Sequence, residues 1–492
     1  MNGLSTREDI GSDLELTADV VVVGSGAGGA TVAAELAEGG VDVVILEEGG
    51  YHPTTSFGTS MGHALRTLYR DGGGGTAIGD PPILFSEGRC VGGSTVVNGG
   101  MAFRTPDQVL RRWAVPDLPS YFEETERRLH VAEQDPETIG RDSALLKAGA
   151  DAQGWHIIAN TRNQIHCAGS NNCTLGCPTG AKQSMLRTNV PRALAHGARL
   201  VADCRVDRVT RRGRTATGVV GQIVHNGPKV RVRAPVVVVA GGAVQTPALL
   251  MRSGFRSPQL GRNLTMHPNA KLIALFDEPV RGWQGVHQAY QVREFMDEGI
   301  LITAVNLPPG MIAMAQPEVG PALGAVMDQY DHMVIAGCLV EDTTTGAVRN
   351  LPGLGPQVFY QITDEDAARV VRGIALTAQL LFAAGARRIL SPWRGAPELS
   401  GPADVARLTE GPVPKRVLDL FTVHLMGTAR MNDAPRHGVV SGFGEFHGAR
   451  GLFVADASLF PGPVGLNPME TIVALTTRNA RWLLENRVRY GI

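Results

Sequence analysis

The stretch "ADVVVVGSGAGGATVAAELAEGGVDVVILEEGG" (18–50) constrains the fold more than any other part of the chain. A short β-branched run leads into Gly24-x-Gly26-x-x-Gly29, then an Ala-rich helix, then a second apolar run that ends at Glu47. This order predicts a βαβ unit. Gly24 permits the tight turn, Gly26 lets backbone approach a pyrophosphate, and Gly29 lets helix and strand pack closely. The helix N-terminus offers free N–H groups and the positive end of its dipole to phosphates. Glu47 lies 18 residues past Gly29, in position to accept hydrogen bonds from a ribose. A glycine-rich turn alone would mean little. Strand, helix and strand-end acid in register make dinucleotide binding the reading.

Later segments extend the same sheet. "APVVVVAGGAVQTPALLMRSG" (234–254) again runs strand, glycines, helix, and "GLFVADASLFPG" (451–462) ends a strand at Asp456 ahead of a helical stretch from 468. One parallel sheet is therefore assembled from distant parts of the chain. At 492 residues the chain exceeds one ordinary core. The expected architecture is α/β: a Rossmann-like domain from 15–110, 185–268 and 415–492, with a second α+β domain from 111–184 and 269–414. Strand-like stretches "ILITAVNL", "HMVIAGCLV" and "QVFYQIT" predict an antiparallel sheet in that second part. "GIALTAQLLFAAGA" (373–386), after the N-cap signal "TDED" and with Gly385 as C-cap, reads as a core helix.

Composition excludes several classes. The formal net charge of −1 offers no basic field for nucleic acid or an anionic membrane. No apolar run reaches the ~18 residues that a membrane helix needs. The N-terminus "MNGLSTREDIGSDLELTA" has neither a basic start nor an apolar core, so a cytoplasmic location is expected. Without an export signal, six cysteines point to free thiols rather than a disulfide framework. The 61 glycines suit a fold with many close backbone approaches around a large cofactor.

"GRCVGGSTVVNGGMAFRTP" (88–106), the βαβ unit and "DASLFPGPVGLNPMETIVALTTRNA" (456–480) together resemble the glucose–methanol–choline oxidoreductases. "VNGGMA" and "VGLNP" look most like the cholesterol oxidase branch, and long-chain alcohol oxidases and sugar dehydrogenases are similar in the middle of the chain. The resemblance fades across 275–410. It implies FAD on Gly24, Gly26, Gly29 and Glu47, flavin contacts from Gly93, Ser94 and Asn98, an adenine-side backbone contact at Val206, and contacts from Asp456 and Ala457. Some members tether FAD through a histidine in the loop after the paired glycines; "STVVN" has none, so FAD is expected to be non-covalent.

Oxidising an alcohol requires removal of a hydroxyl proton and delivery of a hydride to flavin N5, and a histidine is suited to the proton step. The resemblance implies His424, in "FTVHLMGTARM", as the active-site histidine, and places Asn467, in "GLNP", at the second polar position. Such a pair takes the proton and aligns the carbinol carbon. His267, His437 and His447 read as structural, and Glu341 and Asp342 read as a solvated turn, although cholesterol oxidases use a carboxylate in this domain. The expected activity is oxidation of a lipophilic or sterol-like alcohol, with O2 or an acceptor protein or quinone as partner. Two alternatives stay open: a sugar or aminocyclitol dehydrogenase, and a flavin photodecarboxylase-like protein.

"HCAGSNNCTLGCP" (166–178) gathers three of the six cysteines in the spacing C-x5-C-x3-C. Three thiols ahead of Pro178 suit a three-iron cluster or a partial metal site. The sugar dehydrogenase branch has a [3Fe-4S] cluster on a similar spacing, which would make Cys167, Cys173 and Cys177 its ligands. The competing reading is a structural loop with free thiols.

Overall fold

The strand Val20–Val23 is buried at every residue in the computed structural model, which describes residues 2–316, 318–343 and 345–492. It lies inside a six-stranded sheet in the order Leu4–Ser5, Arg199–Val201, Val43–Leu46, Val20–Val23, Val236–Val239, Leu452–Val454. All the pairings are parallel. Layers cover both faces, which explains why these strands read as unbroken apolar runs. Val20 and Val22 pack on the helix Ala27–Glu38 and on Val473, Ala480 and Leu483 of the helix Met469–Glu485. Val21 and Val23 pack against Val206, Val219 and Val232 of a four-stranded sheet formed by Cys204–Arg212, Thr215–Ile223, Lys229–Arg233 and Leu14–Thr17.

Because the strands are parallel, their C-terminal ends lie along one edge, where α/β proteins place ligands. That edge carries Gly24, Glu47, Gly241 and Asp456, each following a different strand. The two outermost strands on one side, Leu4–Ser5 and Arg199–Val201, carry no glycine signature, and nothing in the sequence announces them.

A larger twelve-stranded sheet holds the other main core. Its centre is antiparallel: Asn269–Leu275 pairs with Met333–Val340, which pairs with Ile300–Ala304, then Tyr290–Val292. The three strand-like stretches noted in the sequence become Ile300–Ala304, Met333–Val340 and Gly355–Phe359. Strands Gly75–Ile78, Ile83–Phe85 and Leu420–Thr422 also join this sheet, so it draws in chain from between the dinucleotide motif and Gly93 and from just before His424. Helix Asp364–Ala383 covers one face with Val370, Ile374 and Leu381. Its N-terminus is capped by the Thr363 hydroxyl, which accepts from the Asp366 N–H at 3.0 Å, and three acids fill its first turn. Among the described residues no helix is long and apolar enough to cross a membrane.

Candidate active site

The turn after Val20–Val23 is shaped by close approaches. Gly24 has φ +102°, and a Cβ there would lie 2.3 Å from the Ala240 oxygen. A Cβ on Gly29 would lie 2.1 Å from the Gly24 oxygen, so helix and strand meet at backbone distance. Gly28, a position that the motif leaves free, faces the Ala455 oxygen at 1.8 Å from its virtual Cβ.

The residues fit an FAD. Helix Ala27–Glu38 begins without a side-chain cap and without an acid in its first turn, so its N–H groups remain for a pyrophosphate. Gly93 crosses directly over this loop, because a Cβ on it would sit 2.7 Å from the Gly26 Cα. Glu47 accepts from Ser25 N–H (2.9 Å), Ser25 Oγ (2.7 Å) and Gly49 N–H (2.8 Å), which braces the carboxyl at the strand end. Burial pushes its pKa up, and these donors only partly oppose it. Val206 is buried near it, two residues past Cys204, whose N–H donates to the Glu47 oxygen. Ser94 Oγ accepts from the Gly88 N–H, and Asn98 Oδ1 accepts from the Gly100 N–H. Asp456 accepts from Gly242 N–H and Thr246 Oγ1, tying two strand ends together, while the Ala457 oxygen accepts from Gly427 N–H.

His424 and Asn467 come together as the sequence pattern anticipates. His424 Nε2 is 3.4 Å from Asn467 Nδ2, and His424 is 8% exposed. Asn467 does not cap the following helix: Pro468 holds that position without a side-chain bond. The structure adds a residue that reads as structural in the sequence. His267 is fully buried, with its Nδ1 3.2 Å from His424 Nδ1 and its ring edge-on to that of His424. Gly465 N–H donates to His267 Nε2 at 3.0 Å, so a neutral His267 carries its proton on Nδ1 and directs it at His424. The neutral His424 then holds its own proton on Nε2. Burial lowers the His424 pKa to about 4, aided by the charge of Lys271, and burial together with His424 puts His267 well below its usual value.

Asp342 is not in a solvated turn. It is 2% exposed, accepts from the N–H groups of Met266 and His267 and from the Tyr360 hydroxyl, and so fixes the loop that carries His267. Burial raises its pKa to about 6. Glu341 pairs with Arg112 at 3.1 Å.

The iron–sulfur expectation for Cys167, Cys173 and Cys177 is corrected. Among the described residues no group of three His, Cys, Asp or Glu side chains is arranged to hold a metal ion. The sulfurs have other partners: Cys173 Sγ accepts from Arg162, Cys177 Sγ from the Lys182 N–H, and Cys167 Sγ from the Gly169 N–H. Lys182 Nζ donates to the carbonyls of Val96, Asn98 and Cys173, each at 2.7 Å. Lys182 and Arg162, on either side of the cysteine stretch, thus tie Cys173 to the 96–99 segment. Burial pushes the Cys177 thiol up, but the Lys182 N–H, the Thr179 hydroxyl and the Lys182 charge together leave it below the ordinary value.

Comparison with known proteins agrees with this arrangement. Residues 65–269 and 351–476 match the GMC oxidoreductase family, and residues 19–72 match the FAD binding domain family. An uncharacterized GMC-type oxidoreductase of Sinorhizobium fredii is 36% identical over 98% of this chain and 97% of the relative. A long-chain-alcohol oxidase of Arabidopsis thaliana is 27% identical over 99% of this chain and 68% of that protein. The crystal structure of a pyridoxine 4-oxidase from Mesorbium loti superposes with a TM-score of 0.72 at 18% identity, covering 94% of this chain and 99% of that one. The motifs at both ends, the shared fold and a relative aligned almost end to end lead to one assignment: the chain belongs to the GMC oxidoreductase family and carries its FAD-binding domain.

Proposed function

We propose that this enzyme oxidises a CH–OH group of a lipophilic alcohol to the aldehyde or ketone at the buried pair His424 and Asn467. The observation that carries the reading is the chain Gly465 N–H, His267, His424, Asn467, which ends at two polar atoms 3.4 Å apart. His424 takes the hydroxyl proton on Nε2, and the Asn467 amide holds the same oxygen so that the carbinol carbon keeps one orientation. Nε2 carries a proton in the resting hydrogen-bond order. Uptake there follows a tautomer exchange in which His424 holds its proton on Nδ1 and Gly465 loses its acceptor. Gly24, Gly26, Gly29, Glu47, Gly93, Ser94, Asn98, Val206, Asp456 and Ala457 hold FAD without a covalent tether. FAD, when bound, supplies the acceptor for the carbinol hydride.

The lipophilic substrate is supported by the named activity of the Arabidopsis relatives and by the apolar residues Leu301 and Leu339, paired across two strands of the larger sheet. In this reading 15–110, 185–268 and 415–492 serve the cofactor, 111–184 and 269–414 serve the substrate, and the electrons pass to O2 or an acceptor. Anaerobic mixing of the yellow holoenzyme with alcohols tests it. Long primary alcohols or sterols should bleach the flavin faster than sugars do; a flavin that no alcohol bleaches would overturn the proposal.

A further inference from the structure

Strand register places Asn269, Lys271 and Ile273 on one face of the larger sheet, opposite Leu339, Gly337 and Ile335, with Leu301 and Thr303 next in line. The reverse face, with Ala270, Leu272 and Ala274, is buried in the core under helix Asp364–Ala383. Two apolar groups flank the front face. Leu301 packs with Met101, Phe103 and Leu466, and Ile335 packs with Val305 and Ile312. Between them runs the row Thr303, Gly337, Lys271.

Gly337 makes the lysine's position possible. A Cβ on Gly337 would come within 2.8 Å of Lys271 Cδ, so the missing side chain is the groove in which the lysine stem lies. Lys271 Nζ ends 5.5 Å from the centre of the Phe421 ring. Phe421 pairs with Asn269 and stands three residues before His424, while Asn269 follows His267 by two. The charge of Lys271 lies close enough to act on His424.

Among the described residues neither Asn269 nor Lys271 is matched by a side-chain hydrogen-bonding partner. Among the described residues no side-chain hydrogen bond or ion pair reaches the Asn269 amide, which is 5% exposed, and the ammonium of the partly buried Lys271 has only the aromatic ring. Neither group is sealed off, since the Asn269 amide and the Lys271 ammonium both keep some accessible surface, so each can take a partner from outside the protein. Lys182 gives the contrast, since its buried ammonium donates to three carbonyls. Among the described residues no carboxylate pairs with Lys271, and burial brings its pKa down to about 8.

We propose that Asn269 and Lys271 form a subsite for a carboxylate group of the substrate. One amine and one amide donor match one negative charge, and the apolar groups on either side take a hydrocarbon body. The substrate class is then a hydroxy acid with an apolar frame, its carbinol at His424. That last clause rests on the reading given under Proposed function; the anion subsite does not.

Benzoate and its neutral counterpart benzamide separate the two ideas when titrated into the holoenzyme, with the flavin absorption spectrum as readout. Benzoate should bind more tightly than benzamide. Lys271→Met should weaken benzoate about tenfold or more, the scale of a lost charge-assisted hydrogen bond, and leave benzamide unchanged. Lys271→Arg should retain most of the binding. A hydroxy fatty acid should bleach the flavin faster than its methyl ester does in the wild type, and at an equal rate in Lys271→Met. Benzoate binding no tighter than benzamide in the wild type would overturn the subsite whatever the variants do. So would equal benzoate affinity in a folded, flavin-loaded Lys271→Met. Lys271-dependent benzoate binding in an enzyme that no alcohol reduces would sustain the subsite and sink the alcohol reading.

Discussion

The dinucleotide edge of the parallel sheet and the front face of the larger sheet both carry charged or amide side chains, and the two regions treat them in opposite ways. At the first, Glu47 and Asp456 are each held by at least three protein donors before any ligand arrives. At the second, Asn269 and Lys271 have no such partner among the described residues. A constant cofactor can be met by a pre-braced frame in which backbone does most of the contact, so rigidity there costs nothing. A substrate has to supply the missing partners itself, which turns the unmatched groups into a selection device.

The sharpest break in that comparison comes from the proposed pair His424 and Asn467. His424→Ala should keep FAD, because the cofactor frame does not use this side chain, yet slow flavin reduction by alcohol at least ~100-fold. Asn467→Ala should slow the same step less. Rapid-mixing records of flavin bleaching measure both, and a wild-type rate in His424→Ala would remove that residue from the mechanism.

Gly28→Ala probes the other region. The added methyl meets the Ala455 oxygen, which belongs to backbone and cannot rotate away. The cost should be roughly 1–3 kcal/mol, as for overpacking elsewhere, seen as a lower melting temperature and weaker FAD retention. A fully stable, FAD-saturated variant would show the helix and the strand Leu452–Val454 to be less tightly coupled than the close approach implies.

The smallest effect concerns pH. Only neutral His424 accepts a proton, and burial, with the charge of Lys271, holds its pKa at about 4 rather than the usual 6.5. The limiting rate of flavin reduction should therefore stay level from neutral pH down to about 5 and fall only as pH drops through about 4. A half-maximal rate near the ordinary histidine value would mean that His424 is better solvated than its surroundings suggest.

Legibility in the sequence differs between the regions for a physical reason. The βαβ turn, the strand end at Glu47 and the cap at Thr363 that starts the helix Asp364–Ala383 are local: a few residues in fixed order decide the geometry. His267 reads as structural because nothing in "NLTMHP" marks which side of the chain its ring meets. The cysteine spacing suggests ligands, but spacing says nothing of where Arg162 and Lys182 come to lie. Asp342 reads as solvated because its burial depends on Tyr360 and on the loop at Met266, both distant in sequence.

By itself the sequence determined the βαβ unit, the parallel sheet gathered from distant segments and the family motifs. Each rests on residue type and short-range order, where backbone sterics and hydrogen bonding leave few choices. Tertiary structure alone decided that His267 abuts His424, that Arg162 and Lys182 hold the cysteine stretch at Cys173, and that Asn269 and Lys271 share a face beside Gly337. Those outcomes depend on which segments meet and, within the larger sheet, on register. One residue of slip there would turn Asn269 and Lys271 to the opposite face.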